Sequence, residues 1–370
     1  MRKDSNTLNA FFELLRAGLW GRKKTEIQID ETIDWERAYR LAEEQSVIGL
    51  IAAGLDSLPL ANRPSQKVLL QFVGSALQIE QRNMAMNEFV AKLISKLREN
   101  NVYTLLVKGQ GIAQCYEHPL WRSCGDVDLL LNNDDYNAAK NLLMPLANSM
   151  EEEDAKRLHL GLNIDSWVVE LHGTLYTRQL KRVNRVVDEA QRSVFYEGKV
   201  RSWVNGKTQV FLPAPDEDVV FVFSHIIQHF FGGGIGLRQV CDWCRLIWTY
   251  KDVLDLHLLE ARIRRMGMMT EWKALAAMAV EYLGMPVEAM PLYDSSNRWK
   301  RKAKKIVNFI LETGNFGHNR DQSFRRKSAL ANKFGSLMRY TSDTIHHASI
   351  FPKDSLMVWC RMVARGLKGE

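Results

Sequence analysis

The hydrophobic pattern of this chain changes twice, and these changes constrain its fold more than any other feature of the sequence. Up to about residue 99 the apolar residues recur at spacings of three and four, which is typical of helices with one buried face. Three β-favouring runs, 102–107, 127–131 and 167–171, then alternate with helical stretches. Helical spacing returns behind the prolines at 213 and 215. The pattern therefore predicts an α/β region between two helical regions.

Charge divides the chain differently. The 370 residues carry a formal charge of +7, and the segment from Arg298 to the end holds 16 basic and 5 acidic residues, a net +11. Residues 1–297 are therefore at −4. Five cysteines are too few for a disulfide framework, and no apolar run approaches 18 residues. We expect a cytoplasmic protein without integral membrane association.

The sharpest local motif is Gly125-Asp126-Val127-Asp128 at the start of the second β-favouring run. Residues two apart on a strand point to the same side, so Asp126 and Asp128 project together. Two adjacent carboxylates repel each other unless a cation lies between them, and hard divalent cations prefer oxygen ligands. Alternatively, the pair only caps a strand at the solvent edge.

The surroundings favour the metal site. The first β-favouring run ends at Lys108-Gly109, and a helix that follows presents backbone amides to a phosphate. Glu170, in the third run, supplies another carboxylate from a neighbouring strand. Three carboxylates from two strands, next to a lysine, predict a nucleotide site with two metal ions.

These motifs together resemble the uncharacterised bacterial nucleotidyltransferase family of the DNA polymerase beta-type superfamily. The resemblance covers roughly residues 30–250 and rests on residues 106–109, Tyr116, Pro119, Arg122, residues 126–130 and residues 170–172. It implies an α+β fold with a small mixed sheet. The regions would be N-terminal helices at 1–99, a nucleotidyltransferase core at 100–212 and helices with a basic tail at 213–370.

The resemblance also implies an activity. A magnesium- or manganese-dependent enzyme of this kind transfers a nucleoside monophosphate from a nucleoside triphosphate to a hydroxyl of an RNA, a protein or a small molecule, with release of pyrophosphate. The residues that would do so fall into three groups: the catalytic metal ligands Asp126, Asp128 and Glu170, the nucleotide-binding Lys108, Gly109, Arg122 and Gly125, and the pocket histidines His172 and His225.

Two departures and two alternatives qualify this assignment. Lys108-Gly109 stands where the superfamily usually has Gly-Ser, and the third carboxylate is a glutamate rather than the commoner aspartate. One alternative is a catalytically inactive scaffold that binds a nucleotide or RNA through the same fold. Another is a glycosyltransferase, in which an Asp-x-Asp motif binds a nucleotide sugar through a metal ion.

Weaker signals lie in the C-terminal half. His225 and His229 with Cys241 and Cys244 suggest a zinc site, but helix packing of the cysteines is the simpler interpretation. The glycines of 232–236 predict a connection between helices, and the four-residue spacing of Arg238 and Asp242 predicts an ion pair. The basic runs 298–305 and 325–327 form either a solvated face or a surface for RNA or another polyanion.

Overall fold

The computed structural model describes residues 2–21, 33–59, 62–177, 180–317, 319 and 329–368. The N-terminal part is helical, as predicted, and consists of α1 (Arg2–Trp20), α2 (Trp35–Glu44), α3 (Ile48–Asp56) and α4 (Gln66–Glu99). Helices α1 and α3 approach closely because a glycine lies at their contact. A Cβ on Gly18 would stand 1.9 Å from the carbonyl oxygen of Leu50, so any larger residue would force the helices apart.

A five-stranded sheet follows, in the order β1, β2, β5, β4, β3. The strands are β1 (Leu105–Val107), β2 (Asp126–Leu130), β3 (Ser149–Met150), β4 (His159–Ile164) and β5 (Trp167–His172). The pair β2 and β5 is parallel and the other pairs are antiparallel. Helix α5 (Gly109–Ala113) follows β1, and α6 (Asn133–Leu143) follows β2. The predicted α+β fold with a small mixed sheet is confirmed.

The remainder of the described chain is mostly helical. Helix α7 (Lys181–Tyr196) leads into a two-stranded hairpin of β6 (Val200–Asn205) and β7 (Thr208–Pro213). The helices after it are α8 (Pro215–Gly232), α9 (Leu237–Tyr250), α10 (Leu256–Met266), α11 (Met269–Glu281), α12 (Asn297–Thr313), α13 (Ala329–Ala348) and α14 (Pro352–Lys368). No helix in the described part of the chain has the length and apolarity needed to cross a bilayer.

Some elements differ from those predicted. Strand β1 begins at Leu105 rather than residue 102, because the Val102 amide donates to the Leu97 carbonyl and ends helix α4. Strands β3 and β4 and the hairpin of β6 and β7 were not predicted. The hairpin carries a recognisable signal: its two-residue loop begins at Gly206, which has a φ of 62°.

The sheet separates two hydrophobic cores, and this decides where the acidic motif faces. Val127 and Leu129 belong to the core beside α6 and the second half of α4, whereas Leu130 belongs to the core that includes α8 and α9. Because alternate strand residues point to opposite faces, Asp126 and Asp128 lie on the side of Leu130. The motif therefore faces the C-terminal helices.

A buried carboxylate pair joins α11 to α14. Glu271 and Asp354 are both buried, and Asp354 pairs with Arg182. Burial, followed by the charge of Asp354, raises the pKa of Glu271 to about 8. The folded protein therefore holds this proton more tightly than the unfolded chain does, so stability falls as pH rises from the ordinary glutamate pKa towards 8.

We expect Glu271→Gln to remove this loss of stability. The variant should have a Tm several degrees above the wild type near pH 8.5 and a flatter pH dependence between about pH 5 and 8, because its side chain never ionises. Thermal unfolding across this range measures both effects. Glu288→Gln, at an exposed position, serves as the control. Equal pH slopes in Glu271→Gln and the wild type would contradict the assignment.

Candidate active site

Three carboxylates converge at the middle of the sheet. The parallel pairing of β2 and β5 places Asp128 directly beside Glu170, and Asp126 lies on the same face two residues earlier. Ligand oxygens of the three residues all lie within 4.8 Å of one another. Oxygens bound to one cation at 2.0–2.6 Å are at most about 5 Å apart, so this separation suits a divalent ion. The predicted convergence of the three carboxylates from two strands is found.

The pKa of Asp126 reflects the repulsion that the sequence implies. The charge of Asp128 is the largest cause that raises the pKa of Asp126, and burial is the next. Lys108 relieves part of the repulsion, since its Nζ lies 2.6 Å from Oδ1 of Asp128. Burial favours the neutral form of Lys108, but Asp128 and the other two carboxylates outweigh it and raise its pKa. A bound divalent cation would remove the remaining repulsion between the carboxylates.

A strained turn directs Lys108 towards the carboxylates. Lys108 and Gly109 have φ angles of 56° and 40°, in a region that a lysine rarely adopts. Space is also tight at Gly109, because a Cβ there would lie 3.3 Å from Sγ of Cys124. Gly125 precedes β2 with open space where a Cβ would point. The nucleotide-binding roles of these residues stay predictions.

Two histidines lie against Glu170. Nε2 of His172 is 2.8 Å from Oδ1 of Asp128 and 3.3 Å from Oε2 of Glu170, and Nε2 of His159 is also 3.3 Å from that Oε2. Burial alone would raise the pKa of Glu170, but these histidines and Lys108 hold it well below its ordinary value. His172 therefore lies in the pocket as predicted. His159 was not predicted, although the alternating pattern of residues 159–164 is typical of a half-buried strand.

Arg122 lies beside the site, almost fully buried, in an ion pair with Asp242. Its Nε and Nη2 donate to the two carboxylate oxygens of Asp242 at 2.9 and 2.6 Å, and the Tyr116 hydroxyl donates to the same carboxylate at 2.7 Å. Burial acts to lower the pKa of Arg122, but Asp242 outweighs it, so the guanidinium stays charged. The predicted ion pair of Arg238 with Asp242 is wrong, because Asp242 points inward to Arg122.

Arg238 instead lines the cavity above the carboxylates. One Nη donates to the Ser123 carbonyl at 2.7 Å, while its buried Nε has no hydrogen-bond partner among the described residues. Its charge also acts to lower the pKa of Asp126. Arg238 thus brings a further cation to the site, in addition to Lys108. Sequence spacing assigned it to its helix neighbour, so only the fold reveals this position.

A cavity of about 540 Å³ opens over these residues, between the sheet and helix α8. His225 and His229 of α8 form part of its wall, with ring centroids 4.3 Å apart. Burial, followed by the charge of Lys108, lowers the pKa of both histidines, that of His229 to about 4. Both imidazoles are therefore neutral at pH 7. The cavity has a charged floor on the sheet and an uncharged wall on α8.

The zinc interpretation of the C-terminal half finds no support. Cys241 and Cys244 of α9 are fully buried in the hydrophobic core, and neither belongs to the groups of described residues that could hold a metal ion. The packing interpretation of the cysteines is confirmed. The glycines of 232–236 connect α8 to α9, as predicted, and Gly232 and Gly233 line the cavity.

The basic run 298–305 lies on α12, and three of its cations contact other parts of the protein. Lys300 lies 2.9 Å from Glu281, Lys302 donates to the Ile350 carbonyl, and Lys305 donates to the Ser349 carbonyl at 3.0 Å. None of them lines the cavity. The second run, 325–327, lies outside the described residues. The polyanion surface stays a prediction. Fewer cations are available for it than the sequence suggests, because these three lysines contact the protein itself.

Comparison with known proteins gives one match. A family model described as an uncharacterised nucleotidyltransferase matches residues 31–284, which include all the strands and every predicted site residue. No curated protein and no solved structure gives a significant match.

Proposed function

The chain belongs to the uncharacterised nucleotidyltransferase family, and from that premise we propose that it transfers a nucleoside monophosphate from a nucleoside triphosphate to a hydroxyl group. The acceptor oxygen loses its proton to solvent and bonds to the α-phosphorus while the bond between the α-phosphorus and the bridging oxygen to the β-phosphate breaks, and pyrophosphate leaves. The observation that carries the proposal is the convergence of Asp126, Asp128 and Glu170 at the floor of the cavity. We assign the fold to the DNA polymerase beta type on the same grounds.

The donor set fits magnesium or manganese. Asp126, Asp128 and Glu170 offer only carboxylate oxygens, which hard divalent cations prefer, and the pKa of Asp126 is raised chiefly by the charge of Asp128. A cation bound there would neutralise charge on the attacking and leaving oxygens of the transferred group. The protein's own contribution is to hold the three carboxylates together on two adjacent strands.

Lys108 and Arg238 are the residues we assign to the triphosphate. Both line the cavity next to the carboxylates, and a lysine and an arginine suit phosphate as a point charge and as a fork of donors. Arg122, which the sequence analysis placed among the nucleotide-binding residues, is less suitable for binding phosphate, because two of its nitrogens already donate to Asp242. The neutral wall of α8 is suited to the nucleoside, and the cavity volume lies within the usual range of ligand sites.

Label transfer tests the function. The purified chain is incubated with magnesium and each nucleoside triphosphate labelled at the α-phosphate, together with RNA, protein and small-molecule fractions. We expect release of pyrophosphate and transfer of the label to one fraction. Tight binding of triphosphates without any transfer would favour the inactive scaffold. Preferential binding of a sugar nucleotide over an unmodified triphosphate would favour a glycosyltransferase.

Substitution of Arg238 tests the nucleotide site separately. We expect Arg238→Gln to raise KM for the triphosphate by about tenfold, because a hydrogen bond to a charged group is worth about 1.5 kcal/mol. Steady-state pyrophosphate release measures it. Arg264→Gln is the matched control, since Arg264 is exposed on α10 and, among the described residues, pairs with Glu260 one turn away on its own helix. An unchanged KM in Arg238→Gln would remove Arg238 from the nucleotide site.

A further inference from the structure

A second group of metal-binding side chains adjoins the carboxylates and shares one of them. His159 of β4 lies directly opposite His172 of β5 in the antiparallel register, and Glu170 precedes His172 by two residues. All three side chains therefore project from the same face of the sheet. Their ligand atoms lie within 4.8 Å of one another. This group differs from the three carboxylates because it offers two imidazole nitrogens.

The separations within the group fit metal coordination better than hydrogen bonding. Both Nε2 atoms lie 3.3 Å from Oε2 of Glu170, whereas N–H···O hydrogen bonds are commonest at about 2.9–3.0 Å. Ligands placed tetrahedrally at about 2.0–2.1 Å from zinc are about 3.3–3.4 Å apart. Two of the three ligand separations in the group thus match the edge of a tetrahedral site without any movement of Glu170.

The surroundings leave the group accessible and place a further carboxylate beside it. All three residues line the cavity, and the exposed fractions of the Glu170 and His159 side chains are 28% and 16%. Gly161, which pairs with Glu170 across the strands, has no side chain to cover the group. The carboxylate of Glu151 reaches over Gly161, and one of its oxygens lies 3.0 Å from the position that a Cβ on Gly161 would take. A metal ion could enter from the cavity, and one of its coordination positions could stay open towards the cavity.

We propose that His159, Glu170 and His172 bind a transition-metal ion of the zinc class, and that this ion shares Glu170 with the hard-cation site of Asp126 and Asp128. Imidazole with one carboxylate is a donor set that zinc accepts and magnesium does not prefer. His172 exchanges its hydrogen bond with Asp128 for the metal. Because Glu170 belongs to both sites, occupancy of one site changes the affinity of the other. The second site goes beyond nucleotide transfer and does not depend on it.

Calorimetric titration of the metal-free full-length protein with zinc tests this inference. We expect the wild type to bind zinc without nucleotide, and His159→Gln to bind it at least about 100-fold more weakly, since even the loss of a residue that only supports a metal ligand costs about 10- to 100-fold. His172→Gln should behave in the same way. His257→Gln, at an exposed histidine on α10, should bind zinc like the wild type.

Further variants separate the two sites. Asp126→Asn should retain zinc affinity within about fivefold, because Asp126 is not a ligand of the second site. Zinc binding that survives His159→Gln but disappears in Asp126→Asn would overturn the inference, as would equal affinity in the wild type and both histidine variants. Thermal unfolding checks that each variant is folded, and His159→Asn replaces His159→Gln if that variant is not. Zinc binding without any nucleotidyl transfer would contradict only the proposed function.

Discussion

Replacing Asp128 with Asn is expected to reduce metal-dependent pyrophosphate release by at least about 10³-fold. A divalent ion held by these carboxylates would stabilise the transition state by several kcal/mol, and each 1.4 kcal/mol, roughly, is a factor of ten in rate. Asp126→Asn should have an effect of the same order, because the two carboxylates lie on the same face of β2. Pyrophosphate release at saturating nucleotide and magnesium measures the rate. Titration with Mn²⁺ should show a parallel loss of metal affinity.

The control for this experiment lies in the same sheet. Asp165 is exposed at the turn between β4 and β5, and its φ of 53° is one that asparagine tolerates, so Asp165→Asn should leave both rate and stability unchanged. Full activity in Asp126→Asn and Asp128→Asn would sink the assignment of the metal site. Loss of activity with unchanged Mn²⁺ affinity would show that the two carboxylates act in some other way than by metal binding.

The second large effect concerns stability. We expect Asp242→Ala to lower the free energy of unfolding by about 3–5 kcal/mol, because it leaves the buried charge of Arg122 without its partner. The Tyr116 hydroxyl loses its acceptor in the same substitution. Urea unfolding, followed by circular dichroism, measures the loss. The effect should persist in high salt, since solvent ions screen a buried pair poorly.

Asp252→Ala provides the matched comparison. Asp252 is exposed just after α9 and pairs with its neighbour Lys251, so its removal should cost less than about 1 kcal/mol. A similarly small loss in Asp242→Ala would mean that Arg122 reaches water or another acceptor. In that case Arg122 would again be available for phosphate, as the resemblance to the family implies.

The parts of the site that the sequence predicts are those set by local geometry. The two-residue spacing of Asp126 and Asp128 fixes their common face on any strand. The lysine and glycine at 108 and 109 mark the end of a strand by their position after a β-favouring run. Glu170 needed one further assumption, that its strand pairs with β2, and the structure has that pairing.

The parts that the sequence does not predict depend on contacts between distant segments. Asp242 pairs with Arg122 rather than Arg238 because of the way α9 packs against the loop before β2. The spacing of residues along α9 does not reveal this pairing. His159 reaches Glu170 only because β4 pairs with β5 in one particular register. Helical periodicity, in contrast, predicted the N-terminal and C-terminal helices well, since it depends on residues a few positions apart.

The order of strands in the sheet has a consequence for how the protein folds. Asp128 and His172 touch across a separation of 44 residues, and β3 and β4 come between their strands along the chain but not between them in space. Closing such a long loop is slow and costs chain entropy, and here it also forces carboxylates together. Divalent ions should therefore favour the final closure of β2 on β5. A chain ended before residue 167 would contain the whole Asp-x-Asp motif and still lack Glu170, the third carboxylate of the proposed metal site.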